Sequence, residues 1–312
     1  MIDPLPQVAC YGDAREMGRQ QGEALRENIR SAISTIGELE AFRLMKPGLI
    51  PMRWFRRLAE GKADRFMKAA FRKAPGDFEE RFLGICEGAN LPTPKLALCC
   101  LLEAVMSDLT RSSQQRPNGM QAGCSAIAVT GEASKDGAAR VMHNFDHVPV
   151  VQQFFVVRRS RPVGKLRSVE FTLSPLLGAV DGVNEAGLGV TCNYAYVTDS
   201  MSAGPTITML ISRVLSEATN VEQAIEIISS QDRVGGGLLM LADAAGAITS
   251  LEVSNSRVQT RSPRQGIVFH TNRLQCVSMA AVEIGADACY DKRAPNLLRG
   301  KRVHESADLR SN

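Results

Sequence analysis

The sequence predicts an α+β protein, with a helical first third and a sheet-rich remainder. Up to residue 123 apolar residues recur at helical spacing, and from Cys124 they fall in short alternating runs between turns. A helical stretch at 206–231 interrupts the strands, so sheets covered by helices are expected. The chain has 312 residues, 44% hydrophobic and 22% charged, enough for one large domain or two ordinary ones.

The helical part divides at its breakers. Asp13 followed three residues later by Glu16 forms a capping box, and Met17, Leu25, Ile29, Ile33 and Ile36 continue one helical stripe. Gly18 and Gly22 lie four apart on one face and allow another backbone to approach. Residues 47–52 break the pattern. Residues 52–74 resume it with Trp54, Phe55, Leu58, Phe66 and Phe71, and their Arg and Lys residues read as a solvated face. Pro75-Gly76 breaks it again, and two further helices fit 77–89 and 94–109.

The strand-rich part begins with "CSAIAVTG", "AARVMHNFD", "QQFFVVRRS" and "SVEFTLS", which read as successive strands of one antiparallel sheet. Two more strands flank a turn at Asn184–Gly187. The helical stretch breaks at Thr219–Asn220, and three strands follow between Gly236 and Asn272.

Composition excludes several function classes. The net charge is +4, of which +3 falls in residues 1–123, and no strong basic stripe is read. Aromatics are 5% and Trp54 is the single tryptophan, so nucleic-acid binding has little support. The N-terminus lacks a basic n-region and an apolar h-region, so no secretory signal is read and a cytoplasmic location is expected. No apolar run reaches the roughly 18 residues of a membrane span; the nearest, Leu96 to Met106, reads as a buried helix.

The eight cysteines form no CxxC pair and no zinc-ligand spacing, and Pro149 argues against His143 and His147 as ligands on one helix. No metal and no cofactor are expected. Most thiols are read as reduced and buried, Cys99-Cys100 among them. Cys192 is expected to point away from the face that carries Asn193. Gly235–Gly237 lacks the Lys-Ser/Thr of a phosphate loop and reads as the lead into a strand.

One cysteine stands apart. The stretch "RSSQQRPNGMQAG" is rich in breakers and cannot continue a helix, whereas "CSAIAV" is small and β-branched. The Gly123–Cys124 bond therefore sits where exposed chain becomes core. Cleavage there would give Cys124 a free α-amino group, with a reference pKa of about 7.7–8.0, beside a thiol whose reactive form is the thiolate. One residue would then supply nucleophile and base. Gly123 permits the close attack of sulfur on its carbonyl. A lone Gly-Cys is far more often structural, and only accompanying polar groups make it a reactive one. Asp146 at the end of the next strand offers a carboxylate to orient the amine. Asn193 at another strand end offers an amide donor to an oxyanion. Asn272 and Arg293 are further polar candidates.

Taken in order, GDAREMGRQQGEAL (from Gly12), GCS (from Gly123), HNFD (from His143), GVNEAGLGVTCNY (from Gly182), LMLADAAGAITSLE (from Leu239) and HTNRL (from His270) resemble the isopenicillin N acyltransferase-like family of N-terminal-nucleophile (Ntn) hydrolases. That family is related more distantly to the choloylglycine hydrolases. The resemblance covers roughly residues 10–300. It implies an αββα sandwich (124–312, the larger subunit) preceded by an all-helical segment (1–123, the smaller subunit), separated by self-cleavage.

It also implies a cysteinyl acyl-enzyme acting on amide or thioester bonds, as hydrolase or acyltransferase. Cys124 would be the nucleophile, Asp146 would position its amine, Asn193 would serve the oxyanion, Asn272 would add a polar contact and Arg293 a cation. The partners implied are a small-molecule or peptide amide, acyl-coenzyme A as a donor, the two cleavage fragments for each other, and a homo-oligomer where copies associate. The chain departs from the pattern at Arg273, where related sequences carry His, and at His143, where choloylglycine relatives carry Arg. Such a fold adds strands after Leu298, where this sequence runs "RGKRVHESADLRSN"; the expectation is a large subunit truncated or ending differently there, either of which could leave a sheet edge unpaired. The competing reading is an inactive scaffold or ligand-binding protein on the same fold.

Overall fold

The computed structural model describes residues 4–39, 42–43, 46, 48–74, 77–102, 123–147, 149–199 and 203–283. Its first element is a strand, β1 (Gln7–Gly12), ahead of the expected helices. Val8 and Cys10 alternate inward, a two-residue period too short to register before the capping signal at Asp13. Asp13 Oδ1 then accepts the N–H of Glu16 at 2.8 Å and starts α1 (Ala14–Ala24). The single helical stripe read from Met17 to Ile36 is two helices. The chain turns at Leu25 (φ −112°, ψ 19°) before α2 (Arg26–Ile36). α3 (Met52–Lys73), α4 (Phe78–Ala89) and a helix over 93–102 (α5) follow as expected. The expected extension of α5 to 109 lies outside the described residues.

α1 and α4 pack backbone to backbone. A Cβ built on Gly22 would lie 2.5 Å from the Ile85 carbonyl oxygen, and one on Gly84 would lie 2.1 Å from that of Arg15. Both helices therefore need glycine where they cross, Gly18 and Gly22 on one side and Gly84 and Gly88 on the other.

Beyond Cys124 the strands divide between two sheets. The smaller has the order β11-β2-β3, from β2 (Ser125–Gly131), β3 (Gly137–Asn144) and β11 (Ile267–His270), all antiparallel. The larger has eight strands in the order β1-β4-β5-β6-β7-β8-β9-β10. Its members are β1, β4 (Phe155–Pro162), β5 (Ser168–Leu173), β6 (Asp181–Asn184), β7 (Gly189–Ala195), β8 (Gly236–Ala242), β9 (Ile248–Val253) and β10 (Val258–Arg261). The four strands read as one antiparallel run are thus β2–β3 in one sheet and β4–β5 in the other. The chain crosses between sheets through a short helix, α6 (Pro149–Gln152), too brief for sequence periodicity to show. The stretch read as three strands holds four, because β10 is a four-residue ribbon on the edge of β9.

Two helices, α7 (Ile207–Glu217) and α8 (Val221–Ser229), cover the outer face of the larger sheet. Thr206 and Asn220 cap them, which places the break as expected. Cys192, Val190, Leu239, Leu241 and Leu251 meet these helices. Between the sheets lie Ala126, Ala128, Met240, Ala242, Ile248 and Val268. A short helix, α9 (Val277–Ala280), closes the described chain, with Met279 packed on Leu238 and Ala195. The architecture is an α+β two-sheet sandwich with a helical N-terminal segment.

That segment is not separate from the sandwich. β1 pairs parallel with β4, from Gln7 opposite Val157 to Gly12 opposite Pro162. One apolar cluster joins Val8, Met17, Ile29 and Phe82 to Val156, Leu177 and Met209 from beyond Cys124. Under α1, the fully buried Arg158 pairs with Glu170 at 2.6 Å and donates to Gln21 and to the carbonyls of Leu176 and Gly178. A buried ion pair of this kind is tolerated because its remaining hydrogen-bonding groups are also engaged.

Candidate active site

Cys124 immediately precedes β2, and alternation decides where it points. Cys124, Ala126 and Ala128 are 2%, 3% and 0% exposed, so all three face the space between the sheets. The antiparallel neighbours carry that face across the sheet. Ala126 is flanked by His143 on β3 and by His270 on β11. Two residues further along, past the end of β11, Asn272 lies beside Cys124.

The contacts around Cys124 are specific. Its backbone N–H donates to Asn272 Oδ1 at 2.6 Å. Asn272 Nδ2 donates in turn to the Tyr194 carbonyl at 2.8 Å. The neighbouring Asn193, fully buried at the end of β7, donates through Nδ2 to the Thr271 carbonyl at 3.2 Å. These two asparagines lace β7 to the segment after β11, with residues 193–194 on one side and 271–272 on the other. The Cys124 sulfur lies 3.9 Å from the Asp146 carbonyl oxygen. The sequence-chosen residues Cys124, Asp146, Asn193 and Asn272 thus converge on one end of the inter-sheet space. Arg293 lies outside the described residues. Arg273, the departure from the family pattern, pairs with Glu283 at 2.9 Å.

Deeper along the same face lies a set of polar groups that the sequence reading had not assigned to the site. His143 Nδ1 contacts the Asp181 carboxylate at 2.8 Å, and His270 Nδ1 contacts Ser250 Oγ at 2.7 Å. Their Nε2 atoms, Thr191 Oγ1 and Asn193 Oδ1 are sealed from solvent and have no hydrogen-bond partner among the described residues. Burial, with help from Arg261 and His143, pushes the His270 pKa down to about 3, so its imidazole is neutral. Burial alone takes His147 down to about 4. Glu252, also fully buried, accepts the N–H groups of Gln275 and Cys276 and fixes the chain just past Asn272. The usable signal was strand parity, and it reaches His270, two residues before Asn272 on the same face.

Chemically, the arrangement presents a thiol, a held backbone nitrogen and amide side chains at one point. Burial pushes the thiols of Cys86 and Cys100 up to about 12, and raises those of Cys10, Cys99 and Cys276, so they stay protonated. Cys192 packs toward α7 and α8, on the face opposite Asn193. The seven described cysteines form no disulfide. Among the described residues there is no cluster of three or more His, Cys, Asp or Glu able to hold a metal, and no helix long and apolar enough to cross a membrane.

Comparison with known proteins gives a family and a set of distant folds. Among solved structures, the chain is similar to the Caenorhabditis elegans ortholog of N-acylethanolamine-hydrolyzing acid amidase, at 12% identity and TM-score 0.41, over 56% of this chain and 77% of that one. It is also similar to a mutant of conjugated bile acid hydrolase from Clostridium perfringens, at 16% identity and TM-score 0.34, over 46% of this chain. A second variant of that hydrolase aligns at 12% identity and TM-score 0.30 over 51% of this chain. The chain spans 52% and 48% of those two hydrolases, about half their length. No curated protein matches the sequence. Residues 133–291, half of the chain, match the family described as acyl-coenzyme A:6-aminopenicillanic acid acyl-transferase. The matched span holds Asp146, Asn193 and Asn272 and begins nine residues past Cys124. Since that family model covers half of the chain, the chain belongs to the acyl-coenzyme A:6-aminopenicillanic acid acyl-transferase family.

Proposed function

We propose that this protein is a self-cleaving cysteine Ntn enzyme that hydrolyses or transfers acyl groups of amide or thioester substrates. The observation that carries the reading is the 2.6 Å hydrogen bond from the Cys124 backbone N–H to Asn272 Oδ1, at the inner edge of β2. The scissile nitrogen is thereby held in place on one side while the sulfur stands beside the Asp146 backbone.

Cys124 Sγ loses its proton and attacks the Gly123 carbonyl carbon. The tetrahedral intermediate collapses with cleavage of the C–N bond, and the amide nitrogen gains a proton. A Gly123 thioester on Cys124 results. Water hydrolyses it, releasing the Gly123 carboxylate and regenerating the thiol. The new α-amine then serves as the base for the same sulfur. In turnover, sulfur attacks a substrate carbonyl, the amine protonates the leaving group, and water or an acceptor amine resolves the acyl-enzyme. Asn272 keeps the amine in register, the Asp146 carboxylate would orient it, and the second Nδ2 proton of Asn193 is offered to the oxyanion. Arg293 would supply a cation to the same site. An acyl donor can be an amide or acyl-coenzyme A, since both deliver a carbonyl to the same sulfur.

Intact mass of the purified protein beside Cys124→Ala tests this. Cleavage divides 33.8 kDa into fragments of about 13 and about 20 kDa, the larger beginning Cys-Ser-Ala. The variant should remain whole. A well-folded wild type that stays uncut would make the chain a scaffold rather than an enzyme.

A further inference from the structure

α3 carries a charge distribution that the whole-chain balance conceals. Its 22 residues hold eight basic and two acidic side chains, a net +6, so the rest of the chain is −2. Ala63, Met67, Ala70 and Phe71 bury one side of the helix in the N-terminal core. The opposite arc, about 200° wide at 3.6 residues per turn, displays Arg53, Arg57, Lys62, Arg65, Lys68, Arg72 and Lys73, all exposed. Of the helix's two acidic residues, Asp64 falls inside this arc at its edge between Arg53 and Arg57, and Glu60 lies just outside it; both side chains are 13% exposed and pair with Lys68 and Arg56 respectively. Lys73 pairs with Asp232 at 3.3 Å.

The same arc has an apolar end. Trp54 is 50% exposed and Leu58 62%, one turn apart, and Leu49 just ahead of the helix is 100% exposed. Arg57 lies 5.5 Å over the Trp54 ring. An indole at half exposure, an aliphatic neighbour and flanking guanidinium groups suit the boundary between headgroups and acyl chains. A nucleic-acid surface would ask for several flat aromatic platforms; this arc has one aromatic ring and two aliphatic side chains instead.

We propose that α3 docks the protein on anionic lipid surfaces, with its axis in the plane of the headgroups and Trp54, Leu58 and Leu49 inserted at its N-terminal end. Attraction of about 1 kcal/mol per basic side chain near such a surface makes charge the main driving force and the apolar end the anchor. This surface belongs to the segment ahead of Cys124 and involves no residue of the candidate active site.

Trp54 is the only tryptophan, so its fluorescence reports on this face alone. The full chain is titrated with phosphatidylcholine vesicles and with phosphatidylcholine vesicles containing phosphatidylglycerol. A blue shift and co-sedimentation are expected with the second kind only, both lost as salt is raised. Replacing Arg53, Arg57 and Arg65 together by Gln should weaken partitioning on the order of 100-fold with the circular dichroism unchanged. Leu58→Ser should shrink the blue shift while binding at low salt persists. Equal binding to both vesicles, binding without a shift, binding that survives the triple substitution, or binding only to a single-stranded oligonucleotide would each overturn the assignment.

Discussion

Asn272 connects the reacting nitrogen to the larger sheet, since it accepts from Cys124 and donates to the Tyr194 carbonyl while only 4% exposed. Asn272→Ala removes the acceptor of the Cys124 N–H and the donor to the Tyr194 carbonyl, a loss of about 1–3 kcal/mol. Self-cleavage of freshly folded protein should then slow about 10- to 100-fold, read as the disappearance of full-length chain on a gel. An unchanged rate would remove Asn272 from the site. His270 supplies a second test at this scale. Its pKa is depressed to about 3 in the fold, against about 6.5 when unfolded. The unfolded chain therefore binds a proton below about 6.5 that the native chain refuses. The stability His270 contributes is present above that pH and is lost as pH falls toward 3. Urea midpoints between pH 7 and 4 should fall less steeply, by up to one proton, in His270→Gln than in wild type. Cys124, Asp146 and Asn272 were named as candidates because each sits where a strand meets a loop. His143 and His270 were not, because their partners Asp181 and Ser250 lie 38 and 20 residues away on the other sheet.

Helix pairing shows what spacing reveals and what it hides. Gly18 and Gly22 on one face announced a close approach, but nothing in the sequence named α4 as the partner. Gly84 and Gly88 become meaningful only once the two helices are crossed. The same substitution should have opposite signs at two helical glycines. At Gly22 a new Cβ meets backbone atoms of α4 at 2.5, 2.7 and 2.9 Å, and the helices must separate. Gly22→Ala should destabilise by about 1–3 kcal/mol despite its better helix propensity. At Gly61 on α3 nothing lies within 4 Å of the new methyl. Gly61→Ala should stabilise by up to about 1 kcal/mol. Urea unfolding of the two variants beside wild type checks both, and a destabilised Gly61→Ala would show that α3 is more crowded than its geometry indicates. β1 escaped the sequence reading for a related reason. Two inward residues, Val8 and Cys10, are too few for a period, and the strand is fixed by its parallel partner β4 almost 150 residues on.

For the molecule as a whole, the division into a helical first part and a strand-rich second part was legible, because the hydrophobic period changes near Cys124. The assignment of strands to two sheets was not, since alternation says that a strand has two faces but not which sheet it joins. That assignment matters for what cleavage does. A cut at Gly123–Cys124 would leave β1 hydrogen-bonded to β4 over six residue pairs. It would also leave Met17, Ile29 and Phe82 packed with Val156, Leu177 and Met209 in one cluster. Gln21 would still bond Arg158 and the carbonyls of Ser174 and Leu176 across the break. Separating the fragments would expose this apolar surface and strip partners from a buried guanidinium, both costly. The cleaved protein should therefore elute from a sizing column as one species containing both fragments, and divide only in denaturant. Cleavage followed by separation in native buffer would mean that the shared core is too weak to hold the halves together. Arg158→Met puts a magnitude on the prediction. It leaves Glu170 buried without its directly paired cation, with only Arg81 acting on it from further off, which costs up to about 3–5 kcal/mol. The cleaved variant should release its smaller fragment at a lower urea concentration than wild type, whereas Arg159→Met, on the exposed side of the same strand, should not.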